Sequence, residues 1–566
     1  MSTLNRKLCL QIPLTQPQSL PLQITWSGRI DNRRELENLL SLSPDDPDEV
    51  LVHAAFLRFH TRCAYYILGD FAFVIWDPKL RTLYAARDIF GCKPLYYYHD
   101  ASQIACADTL PDLLALPGIP QKANVLEILS VFTEVLASSK LYTDATYYQD
   151  IYRLTPGHYL WITPAGLEKK AYWTLDWNRS DLAIKNESEC LEAFQELLFR
   201  AVRRRLSDKT ASELSGGLDC SLILSTTQTL QHSVHALGHV DRREGSSSEH
   251  VRMELIATAL KLSDVGYVDD THFEFLPALE LCRRSFAGGM PFIFFCFAQN
   301  IYQIVAQQKK SVLLSGFGGD ECVTGHATPF IFTYLQRHEY RTLWQELTKA
   351  QHFKGAAVSQ RKLLKNILSA QLRLWRHGKS LHRSLTLTDQ DLYLRPEYYE
   401  RYHLPHRYEN HLVNPFFEQI HHREYQNLVG PDSFHVRMRV EYSAILAQAL
   451  GFEYRYPLLD RELIEFCYAL PLHFKRQQGR GRYLARRYLQ RYVPSDIYDN
   501  PSKLGGIVPA TLEQYLRDFA AGKYTDLFQD QPWIDLQKPA HPEHAQLKPF
   551  SALMGYLFRA MARRNV

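Results

Sequence analysis

The chain has 566 residues, of which 46% are hydrophobic and 22% charged, and its formal net charge is +4. So small a charge over this length gives no case for nucleic acid or an anionic membrane as a partner, and the length accommodates roughly two to four domains. Its ten cysteines are scattered, with no Cys-x-x-Cys pair or zinc-type spacing, and no uncharged apolar stretch reaches the length of a membrane span; a reducing cytoplasm is expected.

From Leu22 to about Trp177 the pattern is mostly β, with apolar alternation broken by turn residues. Thr25–Leu40 reads as strand, turn and helix, Asp48–His60 as a helix, and Gly69–Asp77 as a strand buried on both faces. Arg81–Asp88 is expected to pair with that strand as a hairpin, Phe90–Tyr98 to form a third strand, and Leu154–Leu160 a turn followed by another. A polar linker near Asn178–Asn186 then separates a first domain, 1–180, from a second, 187–566.

The second domain opens with a helix, Cys190–Arg205, and alternates strand and helix thereafter. A strand ending at Leu214 runs into Ser215-Gly216-Gly217-Leu218-Asp219-Cys220-Ser221, which opens the helical stretch Leu222–Leu230. Paired glycines let backbone N–H groups converge on an anion, the helix N-terminus adds positive potential, and Asp219 is placed to hold Mg²⁺ against phosphate oxygens. No Gly-Lys-Ser/Thr follows, so the loop is not a Walker A motif, and it lacks the Gly-x-Gly-x-x-Gly of dinucleotide binders. Val234–Val240 and Asp264–Val268 read as strands with the helix Glu249–Leu260 between them, arguing for an open doubly wound sheet.

Val312–Leu314 reads as a buried strand and delivers a second glycine loop, Ser315-Gly316-Phe317-Gly318-Gly319-Asp320-Glu321. Two strand ends that each carry glycines and an aspartate suit one site at the carboxyl edge of a parallel sheet. Beyond about Pro329 the pattern is helical; Pro396–Asn427 is rich in Tyr, His and Arg, and reads as a solvated helical cap or a peptide-receiving surface. Phe550–Arg564 reads as a terminal helix.

The two loops together resemble the PP-loop and the Ser-Gly-x-Gly-x-Asp-Glu motif of asparagine synthetase-like enzymes. Glu453–Phe466, Ala469–Pro471, Arg482–Arg486 and Pro501–Gly505 are similar to the family's C-terminal segment. Gly69–Asp77, Ala86–Tyr96 and Leu154–His158 resemble its N-terminal glutaminase-type domain. The resemblance implies an α/β and α+β protein: an Ntn-type β-sandwich with outer helices, then a doubly wound ATP pyrophosphatase domain with a helical extension. The family's nucleophile is an N-terminal cysteine, but here Ser2 follows Met1, Cys9 is internal, and Ser27-Gly28 stands where the family has Asn-Gly. The first domain is therefore expected to be structural or a docking surface, with the amine supplied from elsewhere.

By the resemblance, ATP and Mg²⁺ are the cofactors, with Asp219 and Asp320 as metal ligands. Leu214, Ser215, Gly216, Gly217, Asp219, Cys220, Ser221, Ser315, Gly316, Phe317, Gly318 and Gly319 would line ATP and pyrophosphate, and Lys503 would stabilise the departing charge. Glu213 stands where relatives keep an apolar strand residue, and Cys220 where they keep serine. Three reactions compete: asparagine synthesis, β-lactam closure and macrolactam closure in a lasso peptide. Phe317 stands where asparagine synthetases have glutamate, and it cannot take a proton as the catalytic tyrosine of β-lactam synthetases does. Glu441 falls about where that tyrosine's partner glutamate lies, and is expected to accept a proton from the attacking amine. The lasso cyclase pattern fits best, its partners being a ribosomally made precursor peptide and possible accessory leader peptidase and leader-binding proteins. A degenerate synthetase kept as a scaffold is the non-enzymatic alternative.

Overall fold

Period-two alternation in one strand sets the layers of the first domain. In β3 (Gly69–Asp77) Ala72, Val74 and Trp76 point into one apolar cluster, while Phe71, Phe73 and Ile75 point into another. Both sets are large and apolar, so the strand is covered on two sides, as its sequence predicts. The computed structural model describes residues 7–14, 21–134, 144–176, 186–240, 248–269, 275–287, 299–323, 334–335, 337–353, 434–500 and 510–524, together with positions 19, 182, 184, 365 and 368.

Two antiparallel sheets form the sandwich. One has the order β2 (Gln23–Ile30), β3, β4 (Thr82–Arg87), β8 (His158–Thr163), β9 (Gly166–Ala171). The other runs β1 (Cys9–Pro13), β6 (Gln103–Ala107), β5 (Tyr96–His99), β7 (Ile151–Arg153). The helices Arg33–Leu40 and Asp48–Phe59 cover the outer face of the first sheet through Leu36, Leu51, Val52 and Ala55.

The third strand is shorter than its sequence suggests. The Asp88 carboxylate accepts hydrogen bonds from the backbone N–H of Phe90, Gly91, Cys92 and Lys93. Donors captured by a side chain are withdrawn from the ladder, so Phe90–Leu95 is a turn and pairing begins only at Tyr96.

The second domain carries a five-stranded parallel sheet in the order β12 (Val265–Asp269), β11 (His235–Val240), β10 (Thr210–Leu214), β13 (Val312–Leu314), β14 (Glu453–Arg455). Chain order reverses direction between β10 and β13, which makes their carboxyl ends the topological switch point of the sheet. Alternation again separates two faces: Ala211, Leu313 and Tyr454 join one core, Leu214, Val312 and Leu314 the other. Among the described residues no helix is long and apolar enough to cross a membrane, and the described cysteines are free.

The domains share a core. The apolar cluster under β5 and β6, with Tyr96, Tyr98, Ala105 and Ala107, is continuous with Tyr302, Tyr442 and Tyr454 of the second domain. Polar contacts reinforce it: Lys93 pairs with Glu453 at 2.9 Å, Gln448 donates to Asp108 at 3.2 Å, and Trp173 Nε1 donates to Glu465 at 2.9 Å.

Candidate active site

Glycine chemistry brings the two loops together. A Cβ on Gly319 would lie 2.2 Å from Asp219 Oδ1, and one on Gly316 would lie 2.8 Å from the backbone nitrogen of Cys220. Each distance is below any van der Waals contact, so a side chain at either position would force a neighbour to shift. Gly318 adopts φ +94°, in the left-handed region, with its Cα against Leu459. The second loop then closes in a π-helical turn, Gly319–Val323, and Tyr468 donates to the Glu321 carbonyl at 3.1 Å.

This packing puts Asp219 and Asp320 on one partner. Arg482 reaches Asp219 Oδ2 at 2.5 Å and also pairs with Asp320. Both carboxylates raise the Arg482 guanidinium above its ordinary value, against the lowering effect of burial. Gly217 is exposed at the N-terminus of the helix Leu218–Thr229, which also carries Asp219.

Mg²⁺ takes one or two protein carboxylates and completes its octahedron with phosphate oxygens and water. Two aspartates from separate loops, close enough to share a guanidinium beside an exposed helix N-terminus, fit that donor set. Among the described residues no cluster of three or more His, Cys, Asp or Glu could hold a metal by itself.

Several expected contributors are occupied elsewhere. Ser221 is fully buried and its hydroxyl donates to the Gly217 carbonyl at 2.8 Å. Cys220 is buried, its thiol pushed up to about 12 by burial first and by Glu213 second. Ser315 is fully buried and donates to Glu213 at 2.6 Å, so of Ser215, Ser221 and Ser315 only Ser215 is partly exposed. Leu214 is a core residue. Lys503 lies outside the described residues.

Glu441 is, in the sequence reading, the acceptor of the amine proton. It has no solvent exposure, and it is held by Arg87 at 2.8 Å, Tyr96 at 2.9 Å and Arg153 at 3.3 Å, all from the first domain. With no solvent exposure and with two guanidinium groups and a phenol on its oxygens, Glu441 is placed as an interdomain anchor.

Phe317 is part of an aromatic wall. Its ring meets Tyr456 edge-on at 6.0 Å, and the Arg439 guanidinium sits 5.7 Å from its centroid. Beneath it, Glu213 accepts from Ser315 and from the Tyr454 hydroxyl, and Arg439 also reaches Tyr454. Burial and Glu213 push the Tyr454 phenol well above its ordinary value, so it stays protonated and donates. Sequence reading missed Arg482, Arg439 and Tyr454. For Glu213, its being a charge in a strand interior was the available signal.

The first domain holds no activated thiol among its described residues. Burial raises Cys9 and Cys92, and pushes Cys63 and Cys106 up to about 12. At the Ser27-Gly28 position, a Cβ on Gly28 would lie 2.2 Å from the Asp70 carbonyl oxygen, and the adjoining Arg29 is ion-paired with Asp31 and Asp70.

Residues 193–548 match the asparagine synthase family, and residues 9–173 match the glutamine amidotransferase domain. Glutamine-hydrolyzing asparagine synthetase 1 of Bacillus subtilis is 24% identical over 560 residues, covering 92% of this chain and 82% of that protein. Amidase chry2 of Gibberella zeae is 30% identical over 193 residues, 33% of this chain and 28% of that protein. Glutamine-hydrolyzing asparagine synthetase 3 of Bacillus subtilis is 28% identical over 235 residues, 40% of this chain and 35% of its own. With more than half its length matched, the chain belongs to the asparagine synthase family, a family of ATP-dependent amide ligases.

Proposed function

We propose that the protein adenylates a side-chain carboxylate of a precursor peptide and closes a macrolactam with the peptide's own N-terminal amine, as lasso peptide cyclases do. The observation that carries adenylation is the convergence of Asp219 and Asp320 on one guanidinium at the switch point of the parallel sheet. These aspartates would hold Mg²⁺, which when bound would bridge phosphate oxygens and offset the charge of departing pyrophosphate. The helix N-terminus that follows Gly217 adds positive potential for the phosphates, and Lys503 supplies a further cation. Phe317, packed against Tyr456 and Arg439, stands where asparagine synthetases have a carboxylate, so this position brings no acidic group to the substrate.

A peptide amine removes the need for ammonia, in keeping with a first domain in which no described thiol is activated. Closing a threaded ring also requires the peptide to be folded before the amide forms, so much of its binding energy would go into preorganisation.

The alignment with an asparagine synthetase over 92% of the chain favours a second reading, amidation of aspartate with ammonia. One experiment separates them: protein, ATP and Mg²⁺ are incubated either with a precursor peptide or with aspartate and ammonia. Loss of one water from the peptide mass supports macrolactam closure; asparagine formation without it overturns that reading. Asp320→Ala is expected to abolish ATP–pyrophosphate exchange while the far-UV dichroism stays that of the wild type.

A further inference from the structure

Arg482 is built into its position at a conformational cost. It adopts φ 60° and ψ 33°, the left-handed region, immediately before the helix Tyr483–Leu489. A non-glycine residue holds that conformation only where its surroundings over-determine it. Here the hairpin Arg476–Gln477/Arg480–Gly481 fixes the entering chain, and the N–H of Gly479 in its turn donates to the Glu346 carboxylate at 2.9 Å. On the other side Arg486 donates to the Gly481 carbonyl at 3.0 Å. The side chain is 18% exposed, and its two anionic partners come from two loops that are otherwise separate in sequence.

Two carboxylates this close repel each other when both are ionised and poorly hydrated. Arg482 satisfies both, and it stands where a divalent cation would need the same lone pairs. We propose that Arg482 is the resident counter-cation of the Asp219–Asp320 pair, competes with the metal for these carboxylates, and on release becomes a phosphate-binding group. The assignment rests on the ATP-dependent reading of the same site.

The helix that Arg482 precedes is also tied to the segment leading to Lys503. Arg486 donates to the carbonyls of Tyr498 at 2.6 Å and Asn500 at 3.1 Å, and Arg480 pairs with Asp499 at 3.0 Å. Release of Arg482 would therefore be felt at residues 498–500, directly before the Pro501–Gly505 motif. Its guanidinium is planar and forked, which suits both a pair of carboxylates and the oxygens of pyrophosphate.

The test uses Arg482→Asn and Arg482→Lys in the full chain. Asparagine tolerates the left-handed region and carries no charge, whereas lysine keeps the charge as a single point that cannot span two carboxylates. Calorimetric titration with Mn²⁺ alone is expected to show about tenfold tighter binding to Arg482→Asn than to wild type, because the competing cation is gone. The variant's melting temperature in EDTA is expected to fall, and to regain most of the loss with excess Mn²⁺. Pyrophosphate binding in the presence of Mg²⁺ should weaken about tenfold in Arg482→Asn and by less in Arg482→Lys. Unchanged or weaker Mn²⁺ binding in both variants would overturn the assignment. Failure of the two readings is distinguishable. Tighter Mn²⁺ binding by Arg482→Asn beside a wild type without ATP–pyrophosphate exchange would sink the ATP reading alone. Wild-type exchange with no gain in Mn²⁺ affinity would sink the counter-cation alone.

Discussion

Arg87 of the first domain and Glu441 of the second meet at 2.8 Å with neither side chain exposed. They are 354 residues apart in sequence, and each is desolvated by the other's domain. Removing one member of such a pair leaves the other charged and unsolvated, which costs about 3–5 kcal/mol. Glu441→Gln is accordingly expected to lower the melting temperature markedly, while ATP–pyrophosphate exchange per folded molecule is retained. A loss of exchange without a loss of stability would return Glu441 to the chemistry.

Gly319 and Gly316 should respond differently to alanine. At 319 the new methyl meets the end of a side chain, the Asp219 carboxylate, which can swing aside. Gly319→Ala should keep its thermal stability and lose exchange by at least about a hundredfold, the scale of a displaced electrostatic group. At 316 the methyl meets backbone at Cys220, which cannot move aside, so Gly316→Ala should lose about 1–3 kcal/mol of stability. Calorimetry and exchange on the two proteins check both halves.

The Glu213–Tyr454 contact is open to a double-mutant cycle. Glu213→Leu strands the Ser315 and Tyr454 hydroxyls in a buried setting and should cost about 1–3 kcal/mol. Tyr454→Phe added to it removes one orphaned donor, so the double variant should be more stable than Glu213→Leu alone. Strict additivity of the two changes in melting temperature would refute the coupling.

Glu453 predicts a pH dependence. Burial pushes its carboxyl up, but Lys93, Arg455 and Arg29 outweigh that and hold it well below the usual range. A carboxyl lowered on folding contributes stability above its unfolded value of about 4.3, and that contribution is lost as pH falls toward the folded value. Stability should therefore decline below about pH 4.3, and Lys93→Met should flatten the decline. Melting temperatures of both proteins between pH 3 and pH 6, the range bracketing about 4.3, decide it.

Much of this organisation is legible in the sequence because it is local. Gly69–Asp77 reads as a doubly buried strand from its own composition, and the observed strand has those bounds. The two glycine loops declare themselves by glycine and aspartate after short apolar runs, and β10 and β13 lie side by side. What stayed hidden depends on partners distant in the chain. Nothing near Glu441 signals that two arginines and a tyrosine from another domain enclose it. Arg482 sits in an ordinary basic helix start, and only the fold places it on two aspartates. The Phe90–Tyr98 segment has good strand composition, but a single upstream carboxylate takes its backbone donors.

The apolar seam running from Tyr96 and Ala107 to Tyr442 and Tyr454 bears on how such a chain can change over generations. A first domain joined to its neighbour by a linker alone would be free to drift independently of it. Here its strands furnish one wall of the compartment that the nucleotide-handling half needs in order to stay folded. A substitution along this seam is therefore felt in both halves of the chain, whichever half carries it.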